Sequence, residues 1–117
     1  VGLRISGADR RVTSCDLDGP MRTGIELTDG RSAAIESTVV HISGGAAVAI
    51  VGGTDIRIAH STFVRGGATP EPALSLKDTV RLALWRNVFS GYGNDLLRGL
   101  TAAGRDELFA DAGNFVF

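Results

Sequence analysis

The feature that most constrains this chain is a repeat of short apolar alternations with a period of about 23 residues. In each alternation two apolar side chains stand two residues apart, which places both on the same face of a β-strand. The first four alternations start 22, 23 and 26 residues apart, and they are the segments 3–5, 25–27, 48–50 and 74–76. Self-similarity at a fixed period of this length is typical of a solenoid, in which each repeat forms one coil.

Two further alternations follow in each repeat at a nearly constant offset. The second includes the pairs Ile56/Ile58 and Leu82/Leu84. The third starts with a small polar residue and has an apolar residue two positions later, as in Cys15/Leu17, Thr38/Val40, Ser61/Phe63, Asn87/Phe89 and Asn114/Val116. Three short strands and their turns leave no room for a helix in each repeat. Coils of this kind stack into three parallel sheets around one core, with about 4.8 Å between neighbouring coils.

The sequence therefore predicts an all-β fold, a right-handed parallel β-helix of about five coils with little or no helix. The terminal coil, about residues 94–117, has a weaker core because Gly99 and Asp111 take inward positions. Residues 101–107 are the best candidate for a short helical turn. Residues 66–72 hold two of the three prolines, which cannot donate to a strand ladder, so an outward loop is predicted there.

We expect residues 1–117 to form a single domain that is the C-terminal part of a longer chain. The chain enters patterned sequence at Leu3, and nothing before that residue could cap the first coil. Because an uncapped coil exposes strand edges and apolar core, further coils, another domain or a second copy are expected at this end.

Composition and charge argue against several classes of partner. Twelve Lys and Arg residues balance thirteen Asp and Glu residues, which gives a net charge of −1 and no general attraction to nucleic acid or to an anionic membrane. No apolar run approaches the roughly 20 residues that span a bilayer. The single cysteine, Cys15, excludes an intramolecular disulfide and a multi-cysteine metal site.

Three repeat units, GIELTDGRSAAIESTVV, VAIVGGTDIRIAHSTF and LSLKDTVRLALWRNVF, resemble the parallel β-helix superfamily that contains pectate lyases, polygalacturonases, alginate epimerases and NosD-like periplasmic proteins. The resemblance covers the chain from Leu3 to Val116. It implies a polysaccharide partner and a periplasmic or secreted location. It also implies an inward polar ladder at a sharp turn, where small polar side chains satisfy buried backbone groups. The predicted ladder consists of Cys15, Thr38, Ser61, Asn87 and Asn114.

The acidic residues are best interpreted as turn and surface residues. Asp29 and Asp78 occupy equivalent positions two coils apart, so their carboxylates would lie roughly 9–10 Å from each other. That separation is too long for a retaining glycosidase and at the edge of the inverting range of about 6.5–9.5 Å. An aspartate in a turn bonds its own backbone, which also explains Asp55. Asp16 and Asp18 flank the inward Leu17 and are expected to point into solvent beside the turn Gly19-Pro20. No catalytic residue, metal ligand or cofactor is predicted.

One surface patch is a candidate binding site. His60 and Arg86 share an outward row on adjacent coils, and Trp85 lies beside them. An indole ring with neighbouring cationic and hydrogen-bonding groups can stack a sugar or bind an anion. The alternative is an ordinary sheet face whose tryptophan packs against a loop or a neighbouring domain. His41 has no evident partner in the sequence.

Three functions fit these observations. The first is a noncatalytic β-helix module that binds or presents carbohydrate within a larger extracytoplasmic protein. The second is a truncated polysaccharide lyase, hydrolase or epimerase whose active coils lie upstream. The third is a structural or protein-interaction solenoid. The triplets Gly-His-Gly, Arg-Ile-Lys and Asp-Pro-His of the superfamily's enzymes are missing, which favours the first function over the second.

Overall fold

The computed structural model of the chain describes residues 2–67, 71–92, 96–99 and 109–117. Fifteen β-strands and no helix lie in these ranges. The strands are β1 Leu3–Ala8, β2 Arg11–Thr13, β3 Asp16–Gly19, β4 Thr23–Arg31, β5 Ala34–Glu36, β6 Val39–Ile42, β7 Ala46–Val51, β8 Thr54–Ala59, β9 Thr62–Arg65, β10 Leu74–Lys77, β11 Val80–Trp85, β12 Val88–Ser90, β13 Leu97–Arg98, β14 Phe109–Ala112 and β15 Phe115–Val116.

The strands stack as a parallel β-solenoid with three strands in each coil, which confirms the predicted fold class. The first sheet contains β1, β4, β7, β10 and β13, the second β2, β5, β8, β11 and β14, and the third β3, β6, β9, β12 and β15. The first and second sheets are continuous, because β4 runs through the corner between them and Arg31 at its end pairs with Thr54 of β8. The third sheet is separate.

The register follows the sequence repeat. Ile5 pairs with Leu27, Leu27 with Ile50, and Ile50 with Leu76, so one apolar column runs through four coils. Leu27 and Ile50 are at most 1% exposed. Burying such a side chain fully contributes about 1.5–3 kcal/mol to stability. The inward columns of the three sheets therefore form the continuous core that the alternations predict.

Aromatic stacking reinforces the core inside the third sheet. Phe63 and Phe89 occupy neighbouring coils, and their rings stack with centroids 5.3 Å apart and planes 18° apart. Both rings are at most 1% exposed. In the first coil, the equivalent inward residues Leu3, Ile5 and Leu17 are only partly buried, because in the described chain a neighbouring coil covers them on one side alone.

In the fifth coil, two of the three strands are shorter than their counterparts in the other coils. These strands, β13 and β15, have two residues each, and β14 pairs with β11 so that Phe109 aligns with Leu82. The predicted helical turn at residues 101–107 lies outside the described residues. No strand occurs in the described part of residues 66–72, between β9 and β10.

Polar side chains line one inner corner between the second and third sheets. Thr38, Ser61 and Asn87 are at most 1% exposed, and Cys15 and Asn114 are partly buried. The backbone N–H groups of three of these residues donate to the corner side chain of the next coil. Thr38 N–H donates to Ser61 Oγ at 3.2 Å, Ser61 N–H to Asn87 Oδ1 at 3.0 Å, and Asn87 N–H to Asn114 Oδ1 at 2.8 Å. These bonds satisfy donors that the turn removes from the strand ladders.

The side-chain donors of this corner are also paired. The hydroxyls of Thr38 and Ser61 donate to carbonyls two residues earlier in the chain, at 2.9 and 3.0 Å. Asn87 Nδ2 instead donates to the Ile58 carbonyl of the previous coil at 2.9 Å and to Asn114 Oδ1 at 3.1 Å. The Asn87 side chain therefore connects three coils, whereas the Ser61 hydroxyl connects two.

We predict that Asn87→Ala destabilises the fold by about 1–3 kcal/mol, because the buried Ser61 N–H then loses its acceptor. Asn87→Ser should recover part of this loss, since Ser61 shows that a hydroxyl at this corner can accept from the coil below. Urea unfolding followed by circular dichroism measures both values. Equal stabilities for Asn87→Ala and the wild type would contradict the role assigned to this amide.

Candidate functional site

The outer face of the second sheet presents two rows of side chains. One row contains Arg11, Ala34, Arg57 and Ala83, and the other contains Thr13, Glu36, Ala59 and Trp85. Three of these eight residues are alanines, Ala34, Ala59 and Ala83, so part of this face carries no large side chain. This pattern leaves room for a flat ligand to lie across the strands.

Trp85 is the largest side chain in these two rows. It ends β11 and is 47% exposed, whereas its neighbour Ala59 on the preceding coil is fully buried. Ala83, two residues earlier on the same face, is only partly exposed and has no side chain beyond Cβ. The indole ring therefore stands beside small residues and remains open to solvent over about half of its surface.

His60 and Arg86 lie at the corner that follows this face. The Arg86 guanidinium carbon is 6.0 Å from the centroid of the Trp85 ring, within the range of a cation–π contact. The backbone of His60 lies next to Trp85, because the His60 N–H donates to the Trp85 carbonyl at 3.0 Å. The structure therefore places the three predicted patch residues on adjacent coils, with the Arg86 guanidinium near the Trp85 ring.

The backbone at this corner was not foreseen from the sequence. His60 and Arg86 have φ angles of 51° and 54°, in the left-handed region, and Ser14, Ser37 and Gly113 in the same row have 53°, 51° and 66°. Arginine rarely adopts this conformation, so its residue type gave no turn signal. Both residues are exposed at this corner, so their side chains lie outside the core.

Charge on this face is mainly positive. Arg57 Nε lies 3.9 Å from Glu36 Oε1, a loose ion pair whose arginine side chain is 58% exposed. Arg11 and Arg86 add two further cations. The face thus combines one aromatic ring with several donors and one carboxylate acceptor.

The other acidic candidates stand apart from this face. Asp29 and Asp78 have φ angles of 51° and 52° and flank Gly52, whose φ is 71°, in one row of turns. Asp18 Oδ1 lies 3.6 Å from His41 Nδ1. His41 therefore has a partner, contrary to expectation. The register could have revealed this pair, because Asp18 and His41 directly follow the paired inward residues Leu17 and Val40. Within the described ranges, no three His, Cys, Asp or Glu side chains gather as a possible metal site.

Sequence reasoning also missed an ion pair between neighbouring turns. Arg81 Nε and Nη2 donate to Asp55 Oδ1 and Oδ2 at 2.5 and 2.9 Å, a bidentate geometry. Both residues have left-handed φ angles, 54° and 56°, in a row with Asp9 and Ser32. The hydrogen bond from Arg81, together with its charge, lowers the pKa of the Asp55 carboxyl below its usual value.

Comparisons of the chain with protein-family models, with curated proteins and with solved structures found no match. The fold itself defines the chain as a parallel β-solenoid with stacked coils. In the part of the chain that the structure describes, no helix has the length and apolar character needed to cross a membrane.

We predict that Asp55 stabilises the fold only above acidic pH. Because the folded-state pKa lies below the usual value of 3.8, its contribution is complete above 3.8 and is lost as pH falls through the lowered pKa. The difference in unfolding free energy between wild type and Asp55→Asn should shrink in that acidic range. It should also shrink at high salt, since the pair is exposed.

Arg81→Asn is the matched control, because asparagine tolerates the left-handed backbone but lacks the guanidinium. Its pH profile should follow that of Asp55→Asn. If either variant kept the wild-type acid dependence, the pair would have no effect on stability.

Proposed function

We propose that this chain is a noncatalytic β-helix module that binds or presents carbohydrate within a larger extracytoplasmic protein. The binding surface is the outer face of the second sheet around Trp85, His60 and Arg86. The sequence resemblance to pectate lyase-like and NosD-like repeats supports the ligand class and the location outside the cytoplasm.

The observation that carries the proposal is the exposed indole of Trp85 among small residues. A pyranose ring has a flat apolar face of C–H groups, and an aromatic ring offers a matching apolar surface with a polar rim. Ala83, two residues before Trp85 on the same face and partly exposed, has no large side chain that would block a sugar from that side of the ring. In the row Arg11, Ala34, Arg57 and Ala83, alanines alternate with arginines, so a longer sugar chain that crosses the coils would meet a cation on every second coil.

Polar groups around the ring would orient the ligand. The guanidinium groups of Arg57 and Arg86 can donate to hydroxyl or carboxylate oxygens, and Glu36 can accept from hydroxyls. The His60 imidazole can do either. A few directional polar groups around an apolar contact are the usual composition of a small-ligand site.

We predict that Trp85→Ala weakens carbohydrate binding about tenfold or more, because a lost aromatic contact and its burial amount to about 1.5 kcal/mol or more. Trp85→Phe should retain part of the affinity. A glycan array identifies the ligand, and affinity electrophoresis or calorimetry then measures the dissociation constants.

Val51→Ala is the matched control, since Val51 is 40% exposed on the outer face of the first sheet. It should bind as the wild type does. His60→Asn and Arg86→Asn keep the left-handed backbone while removing the functional groups, and each should weaken binding. Undiminished binding by Trp85→Ala would refute this surface, and an absence of any glycan bound by the folded wild type would refute the function.

A further inference from the structure

The outer face of the third sheet has a chemistry unlike the other two. We call it the third face, and it consists of Asp16, Asp18, Val39, His41, Thr62, Val64, Val88, Ser90, Phe115 and Phe117. No lysine or arginine occurs among these ten residues, whereas the first sheet's outer face has Arg4, Lys77 and Arg98. Charge on the third face is confined to its first two coils.

Two rows of this face change from acidic to apolar along the solenoid. Backbone pairing aligns Asp16 with Val39, then with Thr62, Val88 and Phe115. Val39 is 41% exposed, Phe115 62% and Phe117 73%. Val39 stands alone on the second coil, whereas Phe115 and Phe117 lie two residues apart on the fifth, and neighbouring exposed apolar side chains mark an interaction site more often than isolated ones do.

A cleft adjoins the acidic end of the third face. Its volume is about 260 Å³, and its lining includes Asp18, Pro20, His41, Ser43 and Gly66. The Asp18 side chain is 75% exposed, and its partner His41 lies 3.6 Å away without a closer bond. Asp18 can therefore accept a cationic side chain placed in this cleft.

The charge distribution argues against a second copy of the chain on this face. Two copies packed antiparallel would place Asp16 and Asp18 against Phe115 and Phe117, and burying an unpaired carboxylate against apolar groups is unfavourable. Two copies packed parallel would place the carboxylates against each other, and like charges repel. A suitable occupant must instead be basic at one end and apolar at the other.

We propose that the third face docks a segment of a partner protein that has a basic side chain at one end and apolar side chains at the other. The basic group lies in the cleft at Asp18, and the apolar groups cover Val88 and Phe115. Coils are about 4.8 Å apart, so these contacts are separated by roughly 14–19 Å. That distance corresponds to about 4–6 residues of an extended segment or about 9–13 residues of a helix.

The test selects peptides of about 16 residues, long enough for either form, from a random displayed library against the immobilised chain. Enriched peptides should contain lysine or arginine at that separation from apolar residues. One such peptide is synthesised with a fluorophore, and anisotropy gives its dissociation constant. The double variants Asp16→Lys/Asp18→Lys and Phe115→Ser/Phe117→Ser should each weaken binding tenfold or more, and selection against the former should enrich acidic peptides.

Three controls make the outcome decisive. Arg11→Glu on the second sheet should bind the peptide as the wild type does, and Trp85→Ala should do the same, which separates this proposal from carbohydrate binding. Circular dichroism confirms that every variant is folded. The proposal is overturned if no peptide is enriched, if the enriched peptides lack a basic residue, or if the charge reversal has no effect. A wild-type dimer in sedimentation that Phe115→Ser/Phe117→Ser dissociates would overturn it in favour of self-association.

Discussion

Parallel backbone pairing between successive coils is the constraint on which the rest of this structure depends. Side chains alternate along each strand, so a shift by one residue would move every core side chain to the surface. The apolar columns resist such a shift, and so do the polar groups at the inner corner. Ser61 N–H finds Asn87 Oδ1 only when the two coils are in register, because both atoms are buried at the same corner. Apolar and polar interactions therefore select the same alignment.

The alignment could be predicted from the sequence because a solenoid repeats the same strand pattern in every coil. The spacing of Leu27, Ile50 and Leu76 gave the pairing partners of the first sheet. The same register placed Trp85 on the outer face next to Ala59. Long-range contacts are usually hard to infer from a single sequence, but here a contact one coil away is a contact one period away.

What could not be inferred lies at the corners. The repeat showed three strands in each coil but not that β4 runs through a corner and joins two sheets, since that depends on the turn geometry of 29–31. Arg81 gave no signal of its bond to Asp55, because the corresponding positions hold Asp9 and Ser32, which need no such partner. The location of His60 and Arg86 at a left-handed corner was likewise hidden, since the residue types in that row share no common preference.

Among the described residues, ten non-glycine residues have φ angles between 51° and 56°, and they form rows at the corners of the coils. Each such residue costs roughly 1 kcal/mol or more relative to the right-handed region, and the coil pairing holds it there. The path of the chain is thus imposed by its neighbours and not by the residue at the corner. Corner side chains as different as serine, histidine and arginine are accepted in one row for this reason. The solenoid can accordingly diversify its surface at these corners over evolution while its core and its register stay the same.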